Sequence, residues 1–348
     1  MESCPEARLA VRLTALVESP SHVCCRYRLT AFRPALERAG HTLDLQPFPR
    51  RWWSRLRLFH ALHGADVLLQ RILLSPWQLA RLRRSVRTLL FDFDDAVFLR
   101  DSYAPQGLHH SRRLHRFAAT VRACDAVIAG NDFLQDQAAR WTERARVQVI
   151  PTCVDLGRYP PAHHEPDAAS IHMVWVGSSS TLQGLERAAP LLEELGRQIP
   201  GLHLKIVCDR GLSLRELPVS FRRWSEATEA SEIAAADIGI SWVPDDDWSR
   251  GKCGLKVLQY MAAGLPVVAN PVGVQAAMVW PGETGFLAQT PGQWVDAVRQ
   301  LAHDAALRKT MGRAGRRHVE MHYSVEAGAA LWLSKLLPRL QLRTAQAG

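Results

Sequence analysis

The feature that most constrains this chain is the alternation of short apolar runs with segments of helical periodicity. Most of the apolar runs in the first 150 residues are separated by stretches whose apolar residues recur at helical spacing. One such stretch begins with Ser75 as a cap and Pro76 in the first turn, and another ends at Gly40. This alternation is typical of parallel sheets covered by helices. The predicted strands are Leu9–Val17, Thr42–Leu45, Asp66–Gln70, Thr88–Phe91, Ala126–Ala129 and Val147–Ile150.

The alternation stops after Ile150 and starts again near Ile171. Prolines interrupt all periodicity between Pro151 and Pro166, which predicts a linker of about 20 residues. A second run of strands and helices follows, and the chain ends in three predominantly helical segments after Gln293. We therefore predict an α/β fold with two doubly wound parallel-sheet domains, 1–160 and 161–323, and a helix in 324–348 that packs back on the first domain. The further predicted strands are Ile171–Val176, Leu202–Val207, Ile238–Val243 and Pro266–Ala269, and the helices are Leu185–Gln198, Ser231–Ala236 and Cys253–Ala263.

The composition is that of a globular protein. The chain has 348 residues, of which 47% are hydrophobic and 22% charged, and this length suits two domains of ~150 residues. No apolar run approaches the ~18 residues of a spanning helix, and Met1–Glu6 lacks the start of a secretory signal. The seven cysteines are odd in number and contain no CxxC pair, so we expect reduced thiols and no zinc site. We expect a cytoplasmic protein.

Positive charge is concentrated in the first half of the chain. The first 155 residues carry 23 Lys and Arg against 15 Asp and Glu, whereas the remainder carries 20 against 19. The segment Arg50–Phe59 mixes arginines with two tryptophans, which suits the inner face of an anionic membrane. An ordinary half-buried surface helix with solvated arginines explains the same segment. We expect no nucleic-acid partner, because the charge is accompanied by no recognisable nucleic-acid motif.

Residues that directly follow predicted strands are the first candidates for a site, because open parallel sheets bind ligands at the carboxyl ends of their strands. Thr88–Phe91 leads into Asp92, Asp94 and Asp95. Carboxylates crowded beside a buried strand repel one another, so at least one requires a cation, backbone donors or a raised pKa. Solvation of the aspartates around a capped turn is the structural alternative.

Two further strand ends carry candidate residues. The first strand leads to Arg26 and Arg28, which can clamp a phosphate or carboxylate unless they are solvated at a surface helix. The strand Ile171–Val176 leads to Gly177 and Ser178. A glycine and hydroxyls before a helix can hold phosphate through backbone N–H groups, although an ordinary capped loop has the same sequence.

The segment Asp245–Gly273 is the most informative. Its predicted helix begins between Gly251 and Gly254 and carries Lys252 and Lys256, so backbone donors, the helix dipole and full charges converge there. This combination suits a diphosphate better than it suits a surface helix. The residues at helical spacing that can share one face are Lys252, Lys256, Gln259 and Tyr260.

The same segment resembles the donor-binding region of the retaining glycosyltransferases of family 4, which have the GT-B fold. The matching motifs are Tyr260-Met261-Ala262-Ala263-Gly264, Pro266-Val267-Val268, Pro271-Val272-Gly273 and Gly282-Glu283-Thr284-Gly285-Phe286. Weaker likeness extends over nearly the whole chain and includes Asp125–Ala129 with Asn131. The resemblance implies two Rossmann-like domains facing an interdomain cleft. It also implies that the second domain holds the nucleotide sugar and the first holds the acceptor.

The chain departs from the family at several positions. The family's two glutamates, eight residues apart, fall on Gly251 and Gln259, so Gln259 can contact a ribose only as an amide. The aspartates that precede the helix are our candidates to replace the missing carboxylate, with Asp246 as the representative. Asp94 and Asp95 stand where many relatives place a histidine. Arg250 and Lys252 are candidates to replace the basic residues missing after Gly177.

The expected activity is a hexosyl or related transfer from a nucleoside diphosphate sugar to an acceptor hydroxyl, with retention at the anomeric carbon. We expect a role in cell-envelope or polysaccharide synthesis, a lipid-linked or polysaccharide acceptor, and no required metal or other cofactor. The candidate catalytic residues are Asp94, Asp95 and Asp246. The candidate donor-binding residues are Gly177, Ser178, Arg250, Lys252, Gly254, Lys256, Gln259 and Tyr260. The candidate acceptor-binding residues are Arg26, Arg28 and Asn131.

Two other functions are compatible with the sequence. The loss of both glutamates suits a GT-B protein that binds a nucleotide sugar or glycan without turnover. The run Asp92–Asp95 also resembles the first motif of the haloacid-dehalogenase phosphatases, with Asp92 as nucleophile and Asp94 as acid. Ala96 stands where that superfamily has threonine or serine, which counts against a phosphatase.

Overall fold

The computed structural model describes residues 10–165, 170–338 and 340, which form two compact units. The first unit comprises Met1–Thr152 and Val325–Gly348, and the second comprises Cys153–Ser324. Parts of several predictions lie outside the described residues. These parts are Met1–Glu6, Leu9 of the first strand, Pro166 of the linker, and position 339 with positions 341–348 of the last segment.

Six parallel strands form the sheet of the first unit, in the order β2-β1-β3-β4-β5-β6. Strands β3 to β5 are buried along their whole length, as expected for central strands covered by helices on both faces. The prediction of a doubly wound parallel sheet is therefore confirmed for this half. The strands are β1 Arg12–Val17, β2 Thr42–Pro47, β3 Asp66–Gln70, β4 Thr88–Phe93, β5 Ala126–Ala129 and β6 Val147–Val149.

The helices of the first unit connect these strands. Because each crossover joins two parallel strands, the helix that follows a strand starts near the carboxyl edge of the sheet. Helices α3 and α4, which follow β2 and β3, therefore both begin at this edge, and they pack against each other. The helices are α1 Val23–Arg28, α2 Arg33–Arg38, α3 Trp52–Ala61, α4 Pro76–Ser85, α5 Ser111–Ala123 and α6 Asp132–Ala139.

Strand β4 runs two residues further than predicted and takes Asp92 into the core. Asp92 is fully buried, and its carboxylate accepts hydrogen bonds from the guanidinium of Arg28, which is 1% exposed. A buried carboxylate is tolerated because the cation is held beside it. Two expectations are therefore wrong. Arg28 is a core residue that cannot meet an acceptor, and Asp92 has no exposed oxygen with which to attack a phosphate ester.

Six parallel strands also form the sheet of the second unit, in the order β12-β11-β10-β7-β8-β9. Two of them, β9 and β12, were not predicted. The edge strand β9 ends in three exposed residues, and β12 has only three residues, so neither shows the buried apolar run of a central strand. The strands are β7 Ile171–Val176, β8 Leu202–Cys208, β9 Val219–Arg223, β10 Ile238–Ser241, β11 Val267–Ala269 and β12 Gly285–Leu287.

All three predicted helices of this stretch have different bounds in the structure, and the one expected over Ser231–Ala236 is Glu229–Ala234. The one expected over Leu185–Gln198 is two helices that meet at Ala188, because Pro190 starts a new helix rather than continuing an old one. The one expected from Cys253 begins at Leu255. The helices are α7 Ser179–Arg187, α8 Ala189–Gln198, α9 Glu229–Ala234, α10 Asp247–Arg250, α11 Leu255–Ala262, α12 Gln275–Met278, α13 Pro291–His303 and α14 Ala305–His322.

Much of the predicted linker is packed against the second unit. Cys153 and Val154 are fully buried, and Tyr159 is 3% exposed. The N–H of Ala162 donates to the carbonyl of Ala263 at 2.8 Å. The regular helices and strands do stop at these prolines, as predicted. Tertiary contacts nevertheless hold the irregular segment in place, so it is not a free linker.

The chain after Ser324 returns to the first unit as helix α15, Val325–Leu331, followed by a π-helical turn, Trp332–Leu336. The ring of Trp332 lies 6.0 Å from that of Phe32, and both side chains are buried. No helix among the described residues is both long enough and apolar enough to cross a membrane.

Candidate functional site

Lys256 occupies the first turn of α11, near the carboxyl ends of the strands of the second sheet. Its side chain is partly buried, and its Nζ lies 5.0 Å from the ring centroid of Trp175. Trp175, on β7, is 1% exposed, and its indole covers Gly177 so closely that a Cβ there would lie 2.5 Å from the ring. Two residues of the predicted donor set, Lys256 and Gly177, therefore meet around one tryptophan.

The surroundings of Lys256 destabilise its positively charged form. Burial, together with the nearby Lys252 cation, lowers the pKa of Lys256 to about 7. The first turn of a helix carries the positive end of the dipole, which adds to the cost of a cation there. No carboxylate of the described residues forms an ion pair with Lys256. An anion bound at this point would remove the cost and restore the charge.

The loop Gly177–Thr181 does not provide the phosphate cradle that its sequence suggests. The N–H of Gly177 donates to the carbonyl of Val207, and the N–H of Ser178 donates to the hydroxyl of Thr181. The N–H of Ser179 donates to the carboxylate of Asp209, whose pKa is lowered to about 2 by hydrogen bonds from the Ser179 side chain, from Cys208 and from this N–H. These donors are already used, so the expectation that Gly177 and Ser178 hold phosphate through the backbone is wrong.

The backbone turn and the packing before α11 require a glycine at position 254, which the sequence did not reveal. Gly254 caps α11 with a left-handed φ of 65°, a conformation that side chains rarely adopt. A Cβ at this position would also lie 2.6 Å from the Sδ of Met278. The glycine is required by the turn and by this packing, which also explains why the helix starts two residues later than predicted. A donor contact of Gly254 stays a prediction.

The aspartates before α10 are engaged with their own loop. Asp246 caps α10 by accepting from the N–H of Ser249 at 2.8 Å. Arg250 is exposed and forms ion pairs with Asp245 at 2.8 Å and with Asp247 at 3.2 Å. The charge of Arg250 is therefore partly balanced within the loop, and a donor contact of Arg250 stays a prediction. A catalytic role for Asp246 stays a prediction.

Lys252 precedes α11 and lies over an aromatic ring. Its Nζ is 3.3 Å from the ring centroid of Trp248, a cation–π contact. Lys252 is partly buried and contributes to the lowered pKa of Lys256. The two lysines therefore form one positive region at the start of α11, as the sequence predicted.

Two other residues of the predicted donor face point into the second unit. Tyr260 is fully buried, and its hydroxyl accepts from the N–H of Val176 at 3.0 Å, so the expected donor contact of Tyr260 is wrong. Gln259 is 2% exposed, and its amide donates to the hydroxyl of Tyr159 at 3.1 Å. The contact of Gln259 with a ribose stays a prediction.

A buried polar network that the sequence analysis missed holds the loop before Asp245. The amide of Asn270 bonds both the N–H and the carbonyl of Val243, at 3.0 and 2.7 Å. The amide of Gln275 donates to the carbonyl of Asn270 at 2.9 Å and accepts from the hydroxyl of Ser241. Ser241 and Asn270 end or follow strands, so the rule applied to the other strand ends would have found them.

In the first unit, a cation that was not predicted holds Asp94 and Asp95. Arg71 directly follows β3, and its guanidinium lies 3.5 Å from the carboxylate of Asp94 and 3.2 Å from that of Asp95. Of the three alternatives expected for this cluster, a cation, backbone donors or a raised pKa, the structure provides cations: Arg28 for Asp92 and Arg71 for the other two. A charged residue directly after a predicted strand was the available signal for Arg71.

The remaining acceptor candidates differ in accessibility. Arg26 is partly buried and lies over the ring of Tyr27, with its guanidinium carbon 4.6 Å from the centroid, so an acceptor contact stays a prediction. Asn131 is 5% exposed, and its Oδ1 caps α6 by accepting from the N–H of Leu134 at 2.8 Å. The acceptor role expected of Asn131 is therefore wrong, because the side chain is a buried helix cap.

No group of three His, Cys, Asp or Glu residues within the described ranges is placed to hold a metal ion. The run Asp245–Asp247 accordingly shows no metal-binding geometry.

Comparison with known proteins finds a matching family model and curated relatives that cover part of the chain. Residues 187–334 match a family model described as glycosyl transferase-like. The D-inositol 3-phosphate glycosyltransferase of Pseudarthrobacter chlorophenolicus is 28% identical over 193 residues, which cover 49% of this chain and 45% of the relative. The enzyme of the same name from Streptomyces avermitilis is 27% identical over 227 residues, covering 58% of this chain and 49% of the relative. The matches thus span about half the length of these curated relatives.

Solved structures match almost the whole chain. A sucrose-phosphate synthase from Thermosynechococcus elongatus superposes with a TM-score of 0.74 at 18% identity, covering 97% of this chain and all of the other. Anabaena HepE in complex with UDP and glucose gives a TM-score of 0.68 at 15% identity, covering 94% and 99% of the two chains. The two parallel-sheet units are those of the GT-B fold, as expected.

Proposed function

We propose that this chain, which is related to the glycosyltransferases of family 4, transfers a sugar from a nucleoside diphosphate sugar to an acceptor hydroxyl with retention of configuration. In this reaction the bond from the anomeric carbon to the diphosphate breaks and a bond to the acceptor oxygen forms. The acceptor proton passes to a carboxylate or to the departing diphosphate. The reaction requires stabilisation of the charge that develops on the leaving group.

The observation that carries this proposal is Lys256. It is a partly buried lysine without a carboxylate partner in the described part of the chain, and it lies in the first turn of a helix at the carboxyl edge of a parallel sheet. A diphosphate supplies the counter-charge that the protein does not. Lys252 adds a second cation beside it. We therefore assign the donor to the second unit.

A melting-temperature screen against UDP-, GDP-, dTDP- and ADP-sugars tests the donor assignment. A ligand that binds only the folded protein raises the melting temperature by mass action. We expect one nucleotide class to raise it in the wild type and to raise it less in Lys256→Met. Absence of a shift with all four classes would contradict the proposed donor.

The first unit supplies the acceptor side in this proposal. Asp94 and Asp95 follow β4, and their side chains are 11% and 19% exposed, so they are accessible from the carboxyl edge. A carboxylate at this position can orient an acceptor hydroxyl and take up its proton. The relatives named above act on inositol phosphate, but the acceptor of this chain is to be identified by experiment.

A non-catalytic binding protein is the second candidate, and a specific observation favours it. The two glutamates expected from the family are replaced by Gly251 and Gln259, and Gln259 is bonded to Tyr159 inside the unit. Binding of a nucleotide sugar without release of nucleoside diphosphate, measured with a membrane lipid extract as acceptor, would support this candidate over the transferase.

We further propose that the enzyme works at the inner membrane surface on a lipid-linked or polysaccharide acceptor in cell-envelope synthesis. Three exposed tryptophans begin neighbouring helices of the first unit: Trp52 and Trp53 on α3, and Trp77 on α4. Both helices begin at the carboxyl edge, which is also where Asp94 and Asp95 lie. We call Trp52, Trp53 and Trp77 the tryptophan edge. Arg51 lies over the ring of Trp53, so basic charge accompanies the aromatic surface.

Sedimentation with lipid vesicles tests this surface. We expect binding to vesicles containing phosphatidylglycerol and weaker binding as salt rises, since each nearby Lys or Arg contributes about 1 kcal/mol and is screened by salt. Replacement of the tryptophan edge by serine should abolish binding. Trp280→Ser is the matched control, because Trp280 is 39% exposed but belongs to the second unit. Equal recovery with neutral and anionic vesicles would contradict the electrostatic part.

A further inference from the structure

We propose that Arg71 is a positioning residue for sugar transfer, holding the carboxylates of Asp94 and Asp95 ready for the acceptor. The inference rests on the proposed function and names a residue that the sequence analysis did not select. It stands on three observations: the backbone conformation of Arg71, the direction of its guanidinium, and the neutrality of its third partner.

The backbone of Arg71 is strained in a way that no other described non-glycine residue is. Its φ is 58°, in the left-handed region that residues with a Cβ rarely adopt. The conformation is held by its N–H, which donates to the carbonyl of Asp92 at 2.8 Å across β3 and β4. Glycine would adopt the same turn without strain. The turn alone therefore does not explain why residue 71 is an arginine. The explanation must lie in the contacts of its side chain.

The guanidinium of Arg71 faces two carboxylates at once. Nη1 lies 3.5 Å from Asp94 and Nη2 lies 3.2 Å from Asp95, so the two arms of the fork reach different residues. A lysine is a single point charge and cannot reproduce this geometry. The carboxylates would otherwise repel each other at the end of a buried strand. Arg71 fixes their spacing while leaving both partly exposed.

The third partner of Arg71 carries no charge. Nη1 also donates to the Sγ of Cys24, at the start of α1. Burial raises the pKa of the Cys24 thiol, and Asp94 raises it further, so the sulfur stays neutral. The amide of Gln70 holds the same turn by donating to the carbonyl of Cys24 at 3.3 Å. The positive charge of Arg71 is therefore directed to the two aspartates.

The same two strands provide a matched control at their other ends. Arg87 lies just before β4 and forms an ion pair with Asp66, the first residue of β3. This pair joins an arginine to a buried aspartate in the same sheet but lies at the amino edge, away from Asp94 and Asp95. Nε and Nη2 of Arg87 donate to the two oxygens of Asp66, so Arg87→Lys removes a two-armed guanidinium contact, to one carboxylate, without touching the proposed site.

The experiment compares Arg71→Gly, Arg71→Lys and Arg87→Lys with the wild type. Transfer is followed as release of nucleoside diphosphate from the nucleotide sugar found in the melting screen, with a membrane lipid extract as acceptor. Arg71→Gly relieves the backbone strain but leaves Asp94 and Asp95 without their cation, so its melting temperature should fall while unfolding stays cooperative. We expect kcat to fall about 30-fold in Arg71→Gly and about 10-fold in Arg71→Lys, with nucleotide-sugar affinity unchanged in both.

Each outcome decides something different. Wild-type kcat in Arg71→Gly overturns the role of Arg71 and leaves the proposed function intact. An equal fall of kcat in Arg87→Lys also overturns it, because the effect would then follow from loosening the sheet. If Arg71→Gly does not melt cooperatively, Arg71→Lys is the deciding variant. A wild-type kcat in Arg71→Lys would show that the two-armed contact of the guanidinium with Asp94 and Asp95 is not needed for transfer. A wild type that binds no nucleotide sugar contradicts the proposed function itself.

Discussion

Sugar transfer is expected to fall at least ~100-fold when the carboxylate of Asp94 or Asp95 that serves the acceptor is replaced by an amide. Asp94→Asn and Asp95→Asn each keep the shape of the side chain and remove its charge and basicity. Both variants should still bind the nucleotide sugar, because the donor is assigned to the second unit. Steady-state rates with the membrane lipid extract, together with calorimetric titration of the nucleotide sugar, measure the two properties separately.

Asp44→Asn is the matched control for these variants. Asp44 belongs to β2 of the same unit and also forms an ion pair with an arginine, Arg12, but its side chain is 41% exposed and the pair is at the surface. Surface ion pairs contribute little to stability, so transfer should be unchanged in this variant. Wild-type turnover in both Asp94→Asn and Asp95→Asn would reduce the cluster to a structural element.

Lys256→Met is expected to weaken nucleoside diphosphate binding by ~1.5 to 3 kcal/mol, the range for a hydrogen bond to a charged group. Methionine retains most of the apolar stem that packs near Trp175, so folding should be little affected. Lys252→Met is the natural comparison, because it removes a cation from the same region. Calorimetric titration with the preferred nucleotide measures both. If Lys252→Met alone weakens binding, the diphosphate lies at Lys252 and the assignment to Lys256 is wrong.

The pH dependence of binding gives an independent check on Lys256. Its pKa in the free protein is lowered to about 7 by burial and by Lys252, and a bound anion raises it again. Binding therefore takes up a proton when the pH lies above the pKa of the free protein. Affinity should be greatest below pH 7 and should fall as the pH rises, by up to about tenfold per pH unit until the pKa of the complex is reached.

A nucleotide sugar is the right ligand for this measurement, since neither of its phosphates titrates in the same range. Lys256→Arg provides the matched variant, because arginine keeps its charge over the whole range. Its affinity should vary much less with pH than that of the wild type. A wild-type affinity that is constant between pH 6 and pH 9 would show that Lys256 does not contact the anion.

The sequence predicted the central strands of both sheets, because a buried parallel strand leaves a continuous apolar run. It did not predict β9 or β12, since an exposed edge strand and a strand of three residues leave no such pattern. The extension of β4 through Asp92 was also missed. That aspartate is buried only because Arg28, distant in sequence, neutralises it, and a single sequence does not show this pairing.

The sequence predicted the positions of the candidate site residues better than it predicted the role of each residue. The rule that ligands bind at the carboxyl ends of strands selected Asp94, Asp95 and Lys256, and in the structure these residues lie near such strand ends. The rule did not distinguish side chains that are accessible to a ligand from side chains that form hydrogen bonds within the protein. Asn131 caps a helix, and Tyr260 bonds a backbone N–H, and both contacts depend on the packing of other elements.

The second unit is an uninterrupted stretch of chain inserted into the first. Its two ends lie side by side, where the N–H of Val154 donates to the carbonyl of Tyr323 at 2.8 Å. The first unit, in contrast, needs α15 and Trp332 from the far end of the sequence to cover Phe32. During synthesis the whole of the second unit is therefore made before α15 and Trp332. The first unit, most of which is made earlier, completes its core only when Trp332 has been made, unlike a domain formed by one continuous stretch of chain.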